Sequence, residues 1–208
     1  MHLYENPPTR SQRAKWVLEE LEIDYTSHIL DPMQGDLNAA ARRAGQPLGA
    51  VPVLKTDQYT IFESVAIVLQ LIDEHPEKKL APPVGSPERA PYYQWSIFAG
   101  TEMDPPIMMF FDNTMRPLEF MHTPGAAYDA GLAARGRSDF ITRAEILSNA
   151  LEGSDYLLGT DFSGADILIG HSCFMATHIG LPIGDYPVLE AYYARLQQRP
   201  AYLRAYGG

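Results

Sequence analysis

The sequence contains a single cysteine, Cys173, among 208 residues. One cysteine excludes an intramolecular disulfide framework and any redox motif that needs two thiols, and a chain of this size without a disulfide suits a reducing compartment. The chain also lacks an apolar run long enough to cross a membrane, and it lacks a basic N-terminal region followed by an apolar segment, as in signal peptides. We therefore expect a soluble, cytoplasmic protein.

Positive charge is scarce as well. Lysine and arginine together number 16 against 26 aspartate and glutamate residues, which gives a net charge of -10. Such a surface repels phosphate backbones and anionic lipids, so nucleic acid and membranes are excluded as principal partners. A small anion held in a local pocket is compatible with it. The 46% hydrophobic content is ordinary for a globular protein with a packed core.

Phosphate-binding and metal-binding motifs are missing from the sequence. Neither G-x-x-x-x-G-K-[ST] nor G-x-G-x-x-G occurs, so nucleotide and dinucleotide loops are unsupported. His171, Cys173 and His178 fall in one predicted helix, but no fourth ligand is evident and the helix has a buried composition. We therefore expect no metal, and we expect Cys173 to be an inert core thiol.

A proline-rich segment divides the chain. Residues 80–91 carry four prolines and a glycine, a composition that sustains neither a helix nor a central strand. We predict a linker there, between a first domain at residues 1–79 and a second domain at residues 92–208.

The first domain alternates short apolar segments with helical patterns. Strands are predicted at 2–4, 25–30, 51–55 and 59–62, and helices at 9–21, 36–44 and 64–74. The order β-α-β-α-β-β-α predicts a mixed four-stranded sheet covered by helices, an α/β fold.

The second domain contains helical patterns only, which predicts an all-α helical bundle. Helices are predicted at 89–103, 128–151, 164–177 and 188–198, with one of the breaks at the prolines of residues 104–106. Ser163 and Asp166 have the spacing of a capping box at the start of the third of these helices. That helix is apolar nearly all round, so we expect it to be the most buried.

Three local features have residues suited to ligand binding, and each also has a purely structural interpretation. Val51-Pro52 opens a strand; a trans proline would only start it, whereas a cis bond would leave the Val51 main chain free to pair with a peptide-like ligand. Glu63-Ser64 could cap a helix or bind an amine and a carboxylate. Thr9 could cap a helix or place a hydroxyl beside an oxyanion or thiolate.

These features occur in the order and spacing of one family. The chain resembles the cytosolic glutathione S-transferases, in the serine- or threonine-type, bacterial-like form. The resemblance lies in the ranges 9–13 (TRSQR), 16–21 (WVLEEL), 46–54 (QPLGAVPVL), 62–67 (FESVAI) and 162–167 (FSGADI). It implies a thioredoxin-like N-terminal domain, an all-helical C-terminal domain, a homodimer, and glutathione as co-substrate.

The resemblance also implies roles for individual residues. Val51, presented by a cis Pro52, would pair its main chain with the cysteinyl unit of glutathione. Glu63 and Ser64 would bind the amine and carboxylate of the γ-glutamyl unit. Many relatives carry a lysine at the position of Ala50, and Gln46 is a candidate to replace its contact with the glycyl carboxylate, as are two nearby arginines, Arg42 and Arg43.

The catalytic hydroxyl is implied to lie in the turn after the first strand. Thr9 occupies the position of the catalytic serine, Ser11 is the second candidate and Tyr4 the third. The methyl group of Thr9 restricts its rotamers, so its hydroxyl need not point at sulfur.

The electrophile pocket has no motif. We expect it to be apolar and lined by the first helices of the second domain. Candidate lining residues are Tyr92, Trp95, Phe98, Met103, Met108, Phe110 and Phe111, about half of them belonging to the core.

The leading hypothesis is a glutathione transferase that conjugates the glutathione thiolate to apolar electrophiles. A second hypothesis is a specialised glutathione-dependent lyase, dehalogenase or isomerase on the same site. A third is a non-catalytic binding protein of the same fold, which the departures at Ala50 and Thr9 would favour. A glutaredoxin-like disulfide exchange is disfavoured, because the first turn has no cysteine.

Overall fold

The chain folds into two compact units. The computed structural model describes residues 1–31, 37–116 and 127–207. One unit comprises Met1–Arg89 together with Leu196–Gly208, and the other comprises Ala90–Arg195.

The first unit has the predicted α/β order. Its strands are β1 (His2–Glu5), β2 (Thr26–Ile29), β3 (Val53–Lys55) and β4 (Thr60–Phe62), and its helices are α1 (Ser11–Leu21), α2 (Leu37–Ala44) and α3 (Ser64–Glu74). The strands form one sheet in the order β2-β1-β3-β4. β1 and β2 are parallel, whereas β3 is antiparallel to both β1 and β4. The prediction of a mixed four-stranded sheet is confirmed.

The sheet register separates an apolar face from a more polar one. Leu3 lies opposite Leu54, and Leu54 lies opposite Ile61, so these three side chains share a face. Leu3 and Leu54 are fully buried, and α1 packs on both β1 and α3. His2 and Tyr4 alternate with Leu3 and therefore point to the opposite face.

The end of the chain adds a helix to the first unit that the sequence reading missed. α9 (Pro200–Tyr206) packs against α1. Arg199 binds both carboxylate oxygens of Glu20, at 2.7 and 2.8 Å, and the Tyr202 ring meets the Trp16 ring edge-on at 5.0 Å. Residues 196–208 therefore group with the first unit, whereas the sequence-based division placed them with residues 92–195.

The second half of the chain is helical, as predicted. It contains α4 (Arg89–Phe98), α5 (Asp104–Asp112), α6 (Ala130–Ala150), α7 (Gly164–His178) and α8 (Pro187–Gln197). α5 and α6 approach closely, because a Cβ on Gly136 would lie only 2.7 Å from the Phe110 nitrogen and 2.9 Å from the Pro106 carbonyl oxygen. Among the described residues, no helix is both long and apolar enough to span a membrane.

The predicted break at residues 104–106 is wrong. A π-helical turn, Ala99–Met103, joins α4 directly to α5. Pro105 and Pro106 lie in the first turn of α5, where a proline is tolerated because helix-terminal N–H groups lack intrahelical partners. The prolines therefore mark a junction in a continuous helical segment rather than its end.

The capping box at the start of α7 is confirmed. The Asp166 carboxylate accepts hydrogen bonds from the Ser163 nitrogen at 2.8 Å and from the Ser163 hydroxyl at 2.9 Å. Cys173 lies in this helix with no exposed surface, and burial raises the pKa of its thiol to about 12. The helix is buried along almost its whole length, as its composition predicts.

Candidate functional site

The turn between β1 and α1 brings two hydroxyls together. The oxygens of Thr9 and Ser11 lie 2.9 Å apart, and the Ser11 nitrogen points at the Thr9 hydroxyl from 3.3 Å. The predicted helix began at Thr9, whereas the observed one begins at Ser11 with Arg10 in the N-cap position. Thr9 thus lies outside the helix and places its hydroxyl beside the first helical N–H group.

The two hydroxyls differ in their access to a ligand. Ser11 has no exposed surface, and its oxygen also accepts a hydrogen bond from the Asn6 nitrogen at 3.2 Å. Thr9 is only half-buried. Tyr4, the third candidate, stacks on the His28 ring with centroids 4.7 Å apart. Thr9 therefore has the more accessible of the two hydroxyls, and the Ser11 hydroxyl lies within hydrogen-bond distance of it.

The bond between Val51 and Pro52 is cis. β3 begins two residues after Val51, at Val53. In the described part of the chain, no hydrogen bond engages the main chain of half-buried Val51. An amide and a carbonyl without partners beside a sheet can pair with an extended peptide.

The Gln46 side chain supports the loop that precedes Val51. Its side chain is almost fully buried, and its oxygen accepts hydrogen bonds from the Leu48 nitrogen at 2.5 Å and from the Ala50 nitrogen at 3.3 Å. Gly49 in this loop has a φ of 75°, and a Cβ there would lie 2.9 Å from the Asn38 carbonyl oxygen. The Gln46 oxygen therefore fixes the loop that leads to Val51, rather than facing a ligand.

The start of α3 is open. Glu63 is exposed and takes a φ of 71° and a ψ of 112°, and no side chain caps the helix. A non-glycine residue in such a conformation costs of order 1–3 kcal/mol, and this kind of strain is concentrated at ligand-binding sites. The helix begins at Ser64, as predicted, so Glu63 rather than Ser64 occupies the N-cap position. Free N–H groups at this helix end favour an anion.

Arg13 lies beside the Ser64 candidate and is not among the residues predicted from the sequence. Its side chain is fully buried, and its guanidinium donates to the Ser64 hydroxyl at 3.4 Å. The position falls on the buried stripe of α1, four residues before Val17. An arginine on an apolar stripe was the available signal, because arginine is rarely buried without a partner. The positive charge of Arg13 therefore adds to the attraction of an anion to the start of α3.

The remaining cationic candidates lie on α2. Arg42 and Arg43 are both exposed, as is Ala50. Either arginine is accessible to a carboxylate.

The predicted electrophile residues separate into two groups. Tyr92, Trp95 and Met103 are buried, the first and third completely. Phe98, Met108, Phe110 and Phe111 are half-buried and present apolar surface on the α4–α5 segment. The expectation that part of this stripe is core agrees with these burials. Across residues 1–31, 37–116 and 127–207, no group of three or more His, Cys, Asp or Glu side chains could hold a metal ion.

Comparisons with known proteins identify the family of this arrangement. Residues 5–79 match the model of the glutathione S-transferase N-terminal domain, and residues 118–200 match that of the glutathione S-transferase C-terminal domain. Together the two models cover most of the chain.

Individual relatives are distant but span nearly the whole chain. Glutathione S-transferase GstA of Escherichia coli O157:H7 is 26% identical over 96% of this chain and 94% of its own length. A probable maleylacetoacetate isomerase of Caenorhabditis elegans is 24% identical over 94% of this chain and 87% of its own length. A sphingomonad glutathione S-transferase solved with glutathione is 26% identical, covers 100% of this chain and 98% of that one, and superposes with a TM-score of 0.82. The chain belongs to the cytosolic glutathione S-transferase family.

Proposed function

We propose that this protein conjugates the thiolate of glutathione to apolar electrophiles. The proposal depends on the combination of three features in the first unit. These are a main chain at Val51 that can pair with a peptide, a helix start at Ser64 without a side-chain cap, and a half-buried hydroxyl at Thr9. A tripeptide with an extended main chain, a terminal α-amino acid and a central thiol matches these three features.

The γ-glutamyl end is assigned to the start of α3. The Glu63 carboxylate takes the ammonium group, and Ser64 with the helix N–H groups takes the carboxylate. Because Arg13 donates to the Ser64 oxygen, the Ser64 proton is left to donate outward. This polarity selects an acceptor such as a carboxylate, and the buried guanidinium strengthens the attraction.

The thiolate is assigned to Thr9. A free thiol has a pKa of about 8.5, and lowering it by about 1.5 units requires about 2 kcal/mol. A hydrogen bond to a charged acceptor contributes about 1.5–3 kcal/mol, and a helix N-terminus about 0.3–1 kcal/mol. One hydroxyl at the start of α1 is therefore sufficient to hold about half of the thiol ionised at pH 7. The thiolate is the attacking nucleophile, so ionisation raises the rate.

The electrophile is assigned to the apolar surface of Phe98, Met108 and Phe111. Methionine and aromatic side chains adapt to irregular apolar ligands. The thiolate forms a bond to the electrophilic carbon, and the leaving group departs with the bonding electron pair.

An isomerase is the second candidate, because a probable maleylacetoacetate isomerase is among the relatives. There the thiolate would add to a carbon–carbon double bond, rotation would follow, and elimination would return the thiolate. Glutathione would be regenerated rather than consumed, so the stoichiometry of glutathione separates this reaction from conjugation.

A homodimer in the cytoplasm, as expected from the family, belongs to the same proposal. Tyr93 and Ile97 lie one helical turn apart on α4 and are 42% and 48% exposed. Light scattering of the wild type should give twice the chain mass, and Ile97→Glu should shift the protein toward the monomer.

The function is tested by retention on immobilised glutathione together with turnover of a chloronitroaromatic electrophile. Thr9→Val removes the hydroxyl at constant shape and should lower kcat/KM at least about tenfold, or about 1.4 kcal/mol. Thr9→Ser keeps the hydroxyl and should retain activity.

Three outcomes would contradict parts of the proposal. Binding without turnover favours a non-catalytic protein, and absence of binding overturns the glutathione site. If neither Thr9→Val nor Ser11→Ala lowers kcat/KM, the catalytic assignment is wrong.

A further inference from the structure

Two histidines on neighbouring strands bring their ring nitrogens together, away from the residues assigned to glutathione. His2 of β1 and His28 of β2 point to the same face of the sheet, on diagonal positions of the parallel register. Nδ1 of His2 lies 3.0 Å from Nε2 of His28. His2 is exposed and His28 is half-buried, so the pair is open to solvent.

We propose that His2 and His28 form a chelating site for a divalent transition-metal ion of the zinc, nickel and copper class. Imidazole nitrogens bind such ions at about 2.0–2.1 Å. When the nitrogen–metal–nitrogen angle lies between the square-planar and the tetrahedral value, two nitrogens at that distance from the ion lie about 2.9–3.4 Å from each other. The observed separation of 3.0 Å falls in this range, so the spacing of the two nitrogens suits one shared ion once the rings turn their lone pairs toward it.

The surroundings hold the rings in place. The Tyr4 ring stacks on His28, with centroids 4.7 Å apart and an interplanar angle of 16°. β1 and β2 are hydrogen-bonded neighbours, so their backbones fix both Cα positions. The two strands and the Tyr4 ring therefore restrict the positions of both histidines.

The proton balance follows from the present contact. With both rings neutral, one donates its proton to the other across the 3.0 Å contact. On metal binding, the donor ring carries its proton on the remote nitrogen instead, and both facing lone pairs bind the ion. No net proton is released from two neutral rings, and water fills the remaining coordination positions.

Isothermal titration calorimetry of the full chain without a polyhistidine tag tests the site. We expect one ion per chain, with nickel binding more tightly than cobalt and copper more tightly than nickel. Magnesium, which prefers oxygen ligands, should not bind. His28→Ala should weaken binding at least about tenfold, because even changes behind a metal ligand cost 10–100-fold. His75→Ala removes a half-buried histidine whose partner is Glu77 and should leave binding unchanged.

A second measurement does not depend on variants. In the wild type, substoichiometric nickel should selectively broaden the NMR signals of His2 and His28. The proposal is overturned if the wild type binds no ion at stoichiometric protein concentration, or if the broadening falls on other histidines. It is also overturned if folded His28→Ala binds as tightly as the wild type, which would place the ion on His2 and the chain terminus. Glutathione binding does not enter any of these readouts, so the result stands apart from the proposed function.

Discussion

A serine stands at the start of both α3 and α7, but Ser64 and Ser163 have different roles there. At α7, the Asp166 carboxylate accepts hydrogen bonds from Ser163. It also accepts hydrogen bonds from the Leu157 nitrogen and the Tyr192 hydroxyl, each at 3.0 Å. At α3, Glu63 is strained and exposed, and no side chain caps the helix. Ser163 is thus part of a complete hydrogen-bond network at the start of α7, whereas Ser64 at the start of α3 is left available to a ligand.

The difference predicts where stability and where binding are located. A satisfied buried network contributes to the folded state, and losing one member leaves the other groups without partners. An open, strained helix start costs stability and is retained where a ligand compensates. Substitutions at α7 should therefore affect unfolding, and substitutions at α3 should affect glutathione.

The largest effect is expected at Asp166. Asp166→Ala leaves the Ser163 nitrogen, the Leu157 nitrogen and the Tyr192 hydroxyl without their acceptor, and should lower the free energy of unfolding by about 3–5 kcal/mol. Denaturant unfolding measures the change. Asp155→Ala, which removes an exposed acid paired with Arg195, is the control and should cost no more than about 1 kcal/mol. Equal losses in the two variants would contradict the account.

The two serines give the next largest contrast. Ser64→Ala should weaken glutathione binding about tenfold to a hundredfold, the value of a hydrogen bond to a charged group, and change stability by about 1 kcal/mol or less. Ser163→Ala should do the reverse, lowering stability by about 0.5–2 kcal/mol with unchanged affinity. Calorimetry with glutathione and denaturant unfolding measure both quantities. If Ser64→Ala binds like the wild type, the anion site does not lie at α3.

A smaller effect of opposite sign is expected at Glu63. Glu63→Gly should raise the free energy of unfolding by about 1 kcal/mol, because glycine adopts a positive φ without strain, while glutathione binding weakens. Glu63→Ala removes the same carboxylate but keeps the strain, so it should weaken binding without the gain in stability. A loss of stability in Glu63→Gly would show that the backbone there is not strained.

The smallest expected response is that of Cys173. Burial raises its pKa to about 12, so the thiol stays protonated and should not react with iodoacetamide in the folded protein from neutral pH to about pH 9. It should react once the protein is unfolded by denaturant. Rapid alkylation of the folded protein would contradict the burial of α7. The thiol of bound glutathione should behave in the opposite way and react as a thiolate near neutral pH.

The sequence predicted the regular parts of the fold well. The bounds of α3 agree to the residue, because its apolar spacing is unambiguous and Glu63 interrupts the preceding strand. The Ser163–Asp166 capping box was also recognised, since it depends on a local spacing. The mixed order of the sheet followed from the alternation of short strands and helices.

The rest depended on contacts between distant parts of the chain. Arg13 meets Ser64 across 51 positions, and no local pattern places a buried arginine beside a serine so far away. Gln46 was expected to face a ligand, but its oxygen is used by the loop it precedes. α9 was missed because Pro200 resembles a helix terminator, although proline also suits the first turn of a helix.

We propose above that the first unit binds the main chain of glutathione and that the Thr9 hydroxyl stabilises the glutathione thiolate. A crystal structure of the complex with glutathione tests it most directly. The account predicts that the Val51 main chain pairs with the cysteinyl unit, that the γ-glutamyl carboxylate lies on Ser64, and that the sulfur is within hydrogen-bond distance of the Thr9 oxygen. A ligand bound elsewhere with the Val51 edge empty, or a sulfur turned away from Thr9, would contradict it.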